Sequence, residues 1–126
     1  MQFIAPEAAL PDDALVFENS ADVLAQAEEI RRHALVVLQF PKWTDGRAYS
    51  QAVLLRGRLR YSGEIRATGE VMADMLPLLR RCGFDAVQMR ADQKLETAQR
   101  ALGYFDKPYQ TVPPERNELT VPGTLQ

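Results

Sequence analysis

Four short apolar runs, at Ala14–Glu18, Ala34–Phe40, Glu64–Ala67 and Phe84–Met89, alternate along this chain with four stretches of helical periodicity. That alternation constrains the fold more than any other feature. Strands separated by helices of this length read as βαβ units, with parallel pairing and right-handed crossovers.

The helical stretches have recognisable starts and stops. After the first run, Asn19 or Ser20 can cap a helix that carries Val23, Leu24, Ala27 and Ile30 on one face. Arg31, Arg32 and His33 follow in its last turn, where cations suit the helix dipole. A second helix near 46–60 places Ala48, Ala52, Leu55 and Leu59 on a stripe, with Arg56, Arg58 and Arg60 mostly off it. A third, near 70–82, uses Val71, Met75, Leu78, Leu79 and Cys82, and Gly83 ends it as a C′ glycine. The fourth, near 92–103, uses Leu95, Ala98 and Leu102 and stops at Gly103.

Flanking segments are different in kind. Residues 1–13, with Pro6, Pro11, Asp12 and Asp13, read as an N-terminal arm leading into a single α/β domain over 14–104. Pro108, Pro113, Pro114 and Pro122 make 105–126 an extended tail rather than a further helix.

Strands covered by helices on both faces should be continuously apolar. Here Glu18, Gln39, Glu64 with Arg66, and Gln88 with Arg90 put polar groups at alternating positions near the strand ends. One sheet face would then be polar towards its carboxyl end while the other packs against helices. A half-barrel-like arrangement of four consecutive βα units fits this pattern, with an open doubly wound sheet as the alternative. In the half-barrel the exposed inner face would need a second protomer, as in a homodimer, or another partner to cover it.

Composition narrows the function classes. The chain has 126 residues and a formal net charge of -2, which argues against a general nucleic-acid binder. No apolar run approaches the ~20 residues that span a bilayer, so no membrane role is expected. One cysteine and one histidine exclude a disulfide framework and leave little for a structural zinc site. With no leader-like start, a cytoplasmic location is the expectation. No dinucleotide or phosphate-loop glycine spacing occurs, and one cysteine cannot hold an iron–sulfur cluster, so no cofactor is expected.

The densest chemistry lies in Phe40–Ser50 (FPKWTDGRAYS), where an apolar strand gives way to a helix. Such turns, on the carboxyl side of a parallel sheet, are where α/β folds keep ligand sites. Arg47 falls in the helix's first turn, where the dipole disfavours a cation by ~0.3–1 kcal/mol. A residue held against that preference points to a partner or a ligand.

Together with Gly63–Gly69 (GEIRATG), Asp74 and Arg80–Asp85 (RRCGFD), this stretch resembles a bacterial family of unknown function. That family is described as predicted oxidoreductases related to sulfite reduction, with genes often adjacent to sulfite reductase. The resemblance covers roughly residues 14–110. It points to Asp45, Gly46, Arg47, Arg66, Gly69 and Asp74, with Tyr109-Gln110 as a weaker match. It implies an accessory role in assimilatory sulfite reduction, with sulfite reductase as partner, or a small oxidoreductase or other enzyme acting on a sulfur oxyanion. One departure is Pro77, which inside a helix would remove a backbone bond and kink the segment.

Two readings of the site follow. In one, Lys42, Arg47 and Arg66 converge at the carboxyl edge of neighbouring strands, and helix starts at Gly46 and Gly69 add N–H groups. A small oxyanion such as sulfite, sulfate or phosphate would bind there, with Asp45 or Asp74 as acid/base if the site is catalytic. In the other, Asp45 or Glu64 simply pairs with Arg47 or Arg66 and locks the βα turns, and function lies in an interaction surface. Cys82, on an apolar stripe, reads as a buried core thiol and His33 as a dipole-compatible surface residue. Trp43 and Tyr49 read as packing at the turn.

Overall fold

A computed structural model of the chain describes residues 1–103. Five strands form one all-parallel sheet: β1 (Gln2–Ile4), β2 (Leu15–Phe17), β3 (Leu35–Phe40), β4 (Glu64–Gly69) and β5 (Ala86–Gln88). Their spatial order is β1-β5-β4-β3-β2. Helices α1 (Ala27–Arg31), α2 (Arg47–Gly57), α3 (Leu76–Cys82) and α4 (Leu95–Ala101) follow β2, β3, β4 and β5 in turn.

From β2 to β5 each strand is laid beside its predecessor in one direction. Right-handed crossovers therefore bring all the helices to one face. Successive helices touch, α2 with α3 and α3 with α4. This is the expected arrangement of four βα units with a one-sided helix layer, and no reversal of strand order occurs among them. The core lies between that layer and the sheet. Phe17, Val36, Leu38, Phe40, Ile65, Ala67 and Val87 meet Ile30, Ala52, Leu55, Leu76, Leu79 and Ala98 there.

Local chemistry explains the element ends. Asp22, rather than Asn19 or Ser20, accepts from the Leu24 N–H at 3.1 Å and starts a 3₁₀ turn, Val23–Gln26, ahead of α1. The third helix likewise opens with a 3₁₀ turn, Ala73–Met75. Pro77 therefore falls in the first turn of α3, where its missing N–H would have had no intrahelical partner. The expected kink does not arise. Gly83 ends α3 at φ 111°, a left-handed position that glycine adopts without strain.

The N-terminal arm contributes more than a lead-in, because Gln2–Ile4 pairs with β5 as an edge strand. Three residues before a proline are too few for a periodicity signal. β1 and β2 lie at opposite edges, so the ten residues 5–14 must cross the whole sheet. A crossing in that sense is right-handed only on the helix-free face. Gln88 faces that side, and its amide Nε2 donates to the carbonyls of Ala5, Pro6 and Ala8 at 3.0, 3.2 and 2.8 Å. The Pro-rich tail expected over 105–126 lies outside the described residues.

Candidate functional site

The turn after β3 is built around one carboxylate. Asp45 accepts from the Arg47 backbone N–H at 3.1 Å and from the Arg47 guanidinium at 3.2, 3.3 and 2.8 Å. It also accepts from Asn19 Nδ2 at 2.7 Å, which ties the loop after β2 to the loop after β3. The Arg47 guanidinium beside it, then its backbone N–H, hold the Asp45 carboxyl well below the usual carboxylate range. Such a group stays ionised at neutral pH and is a poor proton acceptor, which weighs against acid/base work by Asp45.

Gly46 is the N-cap of α2 and makes no side-chain cap. Around it the turn is open: Lys42 is exposed, the Trp43 residue is 54% exposed and the Arg47 side chain 61% exposed. Trp43 is thus not packing at the loop. Tyr49 is, with its ring 5.1 Å from that of Phe40 in an edge-on contact.

Arg66 does not join this group. It stands opposite Val37 on β4, three residues before the Phe40–Gly69 pair, or about 10 Å down the strand. By strand alternation it faces the helix-free side, away from α2. Only 8% exposed, it donates through Nε and Nη2 to one Glu64 oxygen at 3.1 and 3.0 Å. The expected convergence of Lys42, Arg47 and Arg66 is therefore replaced by two separate pairs, Asp45–Arg47 and Glu64–Arg66. The physical reason is the period of a strand, which turns position 66 to the face opposite the helices.

Gly69 is not a helix start. It ends β4 at φ 97°, and a Cβ there would collide with the Phe40 carbonyl, so a close backbone crossing accounts for it. Asp74 is exposed in the 3₁₀ turn before α3, where a carboxylate suits the local dipole. Cys82 is half-buried against the core, and burial pushes its thiol up, partly offset by Arg81. His33 Nδ1 lies 2.8 Å from the Glu29 carbonyl and serves the end of α1.

Sequence reasoning missed two polar anchors. Gln51 sits on the apolar stripe of α2 between Ala48 and Ala52, and that polar interruption was the available signal. Its Nε2 donates to the Glu18 and Ala21 carbonyls at 2.9 and 3.0 Å, while Oε1 is buried with no partner among the described residues. At the opposite end of the sheet, Arg56 donates to the Gly83, Tyr61 and Gly63 carbonyls at 3.0, 2.8 and 2.8 Å and also pairs with Asp85. No metal-ligating cluster occurs among the described residues.

Fold and site together define a two-layered α/β protein that presents a braced arginine and an exposed tryptophan beyond the carboxyl end of its sheet. The chain belongs to the family described as Bacterial protein of unknown function (DUF934), whose sequence profile matches residues 14–119. No curated protein and no solved structure matches the chain. No helix among the described residues is long and apolar enough to cross a membrane.

Proposed function

We propose that this protein is an accessory component of assimilatory sulfite reduction that docks on the sulfite reductase through its Lys42–Arg47 turn. The link to sulfite reduction rests on the resemblance carried by Phe40–Ser50, Gly63–Gly69 and Arg80–Asp85. The observation that carries docking is the exposure of Trp43 between two exposed cations on a turn braced by Asp45. A large aromatic and an arginine on a rigid support are the residue types that dominate interface energetics. The test is co-purification of the full chain with sulfite reductase, read alongside activity of the mixture. Trp43→Ala and Arg47→Ala should each weaken retention about tenfold; retention equal to wild type in both would overturn the reading.

A second reading is favoured by one specific feature. Asp45 engages only Nε and Nη2 of Arg47, and the Arg47 side chain is 61% exposed, which leaves Nη1 available to a ligand. A small oxyanion would bind there without Arg66. Calorimetric titration with sulfite and sulfate tests it: binding lost in Arg47→Ala supports it, and equal titrations remove it. Stand-alone turnover abolished by Asp74→Asn would instead favour the enzyme.

A further inference from the structure

In a run of βα units every helix ends at the same edge of the sheet, the edge opposite the Trp43 turn. That edge is crowded with arginines. Arg31 closes α1, Arg58 caps α2, Arg60 follows it, and Arg80 and Arg81 lie in the last turn of α3. All five are exposed.

The turns that carry them are adjacent and stiff. Tyr61 Oη donates to the His33 carbonyl at 2.9 Å, joining the first turn to the second. Arg56 joins the second to the third through the Gly83 and Gly63 carbonyls. Nearby carboxylates are already engaged: Glu28 and Glu29 with Arg32, and Asp85 with Arg56 and the Ile65 N–H. None of the five arginines has a carboxylate within ion-pair distance among the described residues.

Helix dipoles account for cations at helix ends. They do not account for Arg60, which lies past α2 and holds a left-handed backbone at φ 56°. That conformation is unfavourable for a long side chain, and glycine would relieve it. We propose that this arginine rim is a second docking surface, for an acidic face of a partner protein. Guanidinium forks match carboxylates in geometry, and like-signed rims steer such encounters. Among the described residues the rim carries no exposed aromatic residue on which a nucleic-acid base could stack. With the Trp43 turn about 20 Å away along the strands, the molecule has two faces able to bridge two proteins.

Labelled poly-L-glutamate is the probe, read by fluorescence anisotropy with the full chain at low and at physiological salt. Wild type should bind in a salt-sensitive way. Arg80→Glu/Arg81→Glu should lose about tenfold, while the charge-matched reversal Arg90→Glu/Lys94→Glu, at the other end, should lose less than about threefold. Arg60→Gly should weaken binding without lowering the thermal midpoint, a combination that a structural role would not give. Equal losses in both double reversals, or no loss in the first, would overturn the rim. Tighter binding of a single-stranded oligonucleotide or of phosphatidylserine vesicles would overturn the protein partner. Neither result bears on the Trp43 turn, so failure here is separable from failure of the proposed function.

Discussion

A guanidinium as buried as that of Arg66 needs a partner, and among the described residues Glu64 supplies it. Breaking a buried pair from one side leaves an uncompensated charge, whereas replacing the charge by an apolar group of similar volume is often nearly neutral. Glu64→Ala should therefore cost about 2–3 kcal/mol in urea denaturation, and Arg66→Met less than about 1 kcal/mol. The double variant should resemble Arg66→Met alone. Asp45 makes the complementary case in solution. Its depressed pKa means that the Asp45–Arg47 pair supports the fold above the ordinary carboxylate range, near ~4, and that this support is lost as pH falls below it. Carbon-detected NMR titration should find Asp45 ionised below that range in wild type and shifted back towards it in Arg47→Ala. Both pairs were readable as local possibilities, since Glu64 and Arg66 share a strand face and Asp45 and Arg47 share a turn. What could not be read was Asn19 joining Asp45 across 26 residues, because no local pattern encodes that approach.

Among elements, the longest strands were the clearest. β3 is apolar except for Gln39 and flanked by neighbours on both sides, so its pattern was nearly continuous. β1 carried too few residues to show any period. The helix starts misread at Asn19 and at Pro77 share one cause: each helix opens with a 3₁₀ turn, which moves the cap and shifts every later position. Arg56 shows what patterning leaves out. It lay off the apolar stripe and so looked like a solvated charge, yet it ties the end of α2 to the lead-ins of β4 and β5. A planar fork serves those three carbonyls and Asp85 at once; an ammonium cannot reach them in the same geometry. Arg56→Lys should thus behave as a loss, destabilising by about 2–3 kcal/mol in urea. If Lys is tolerated within about 0.5 kcal/mol, the clamp contributes little.

For the molecule as a whole, the one-sided helix layer leaves the other sheet face to be covered by something else. Val37 and Ala86 lie on that face and are fully buried, which a bare face would not allow. The segment 5–14 is forced across that face by the placement of β1 and β2. It is joined to the sheet chiefly by side-chain contact rather than by a ladder, with Gln88 gathering three of its carbonyls. Few buried apolar contacts and exposed backbone bonds are the marks of a low-stability unit. The crossing segment should therefore open without unfolding the sheet. Gln88→Leu isolates that step, since it removes the bonds while keeping side-chain volume. Native-state hydrogen exchange should show the amides of Ala8 and Ala14 speeding up about tenfold, with those of Val36, Leu38 and Ile65 unchanged. Equal acceleration at both sets would mean that the crossing and the β3–β4 centre unfold together, and that the inner face is never presented to a partner short of global unfolding.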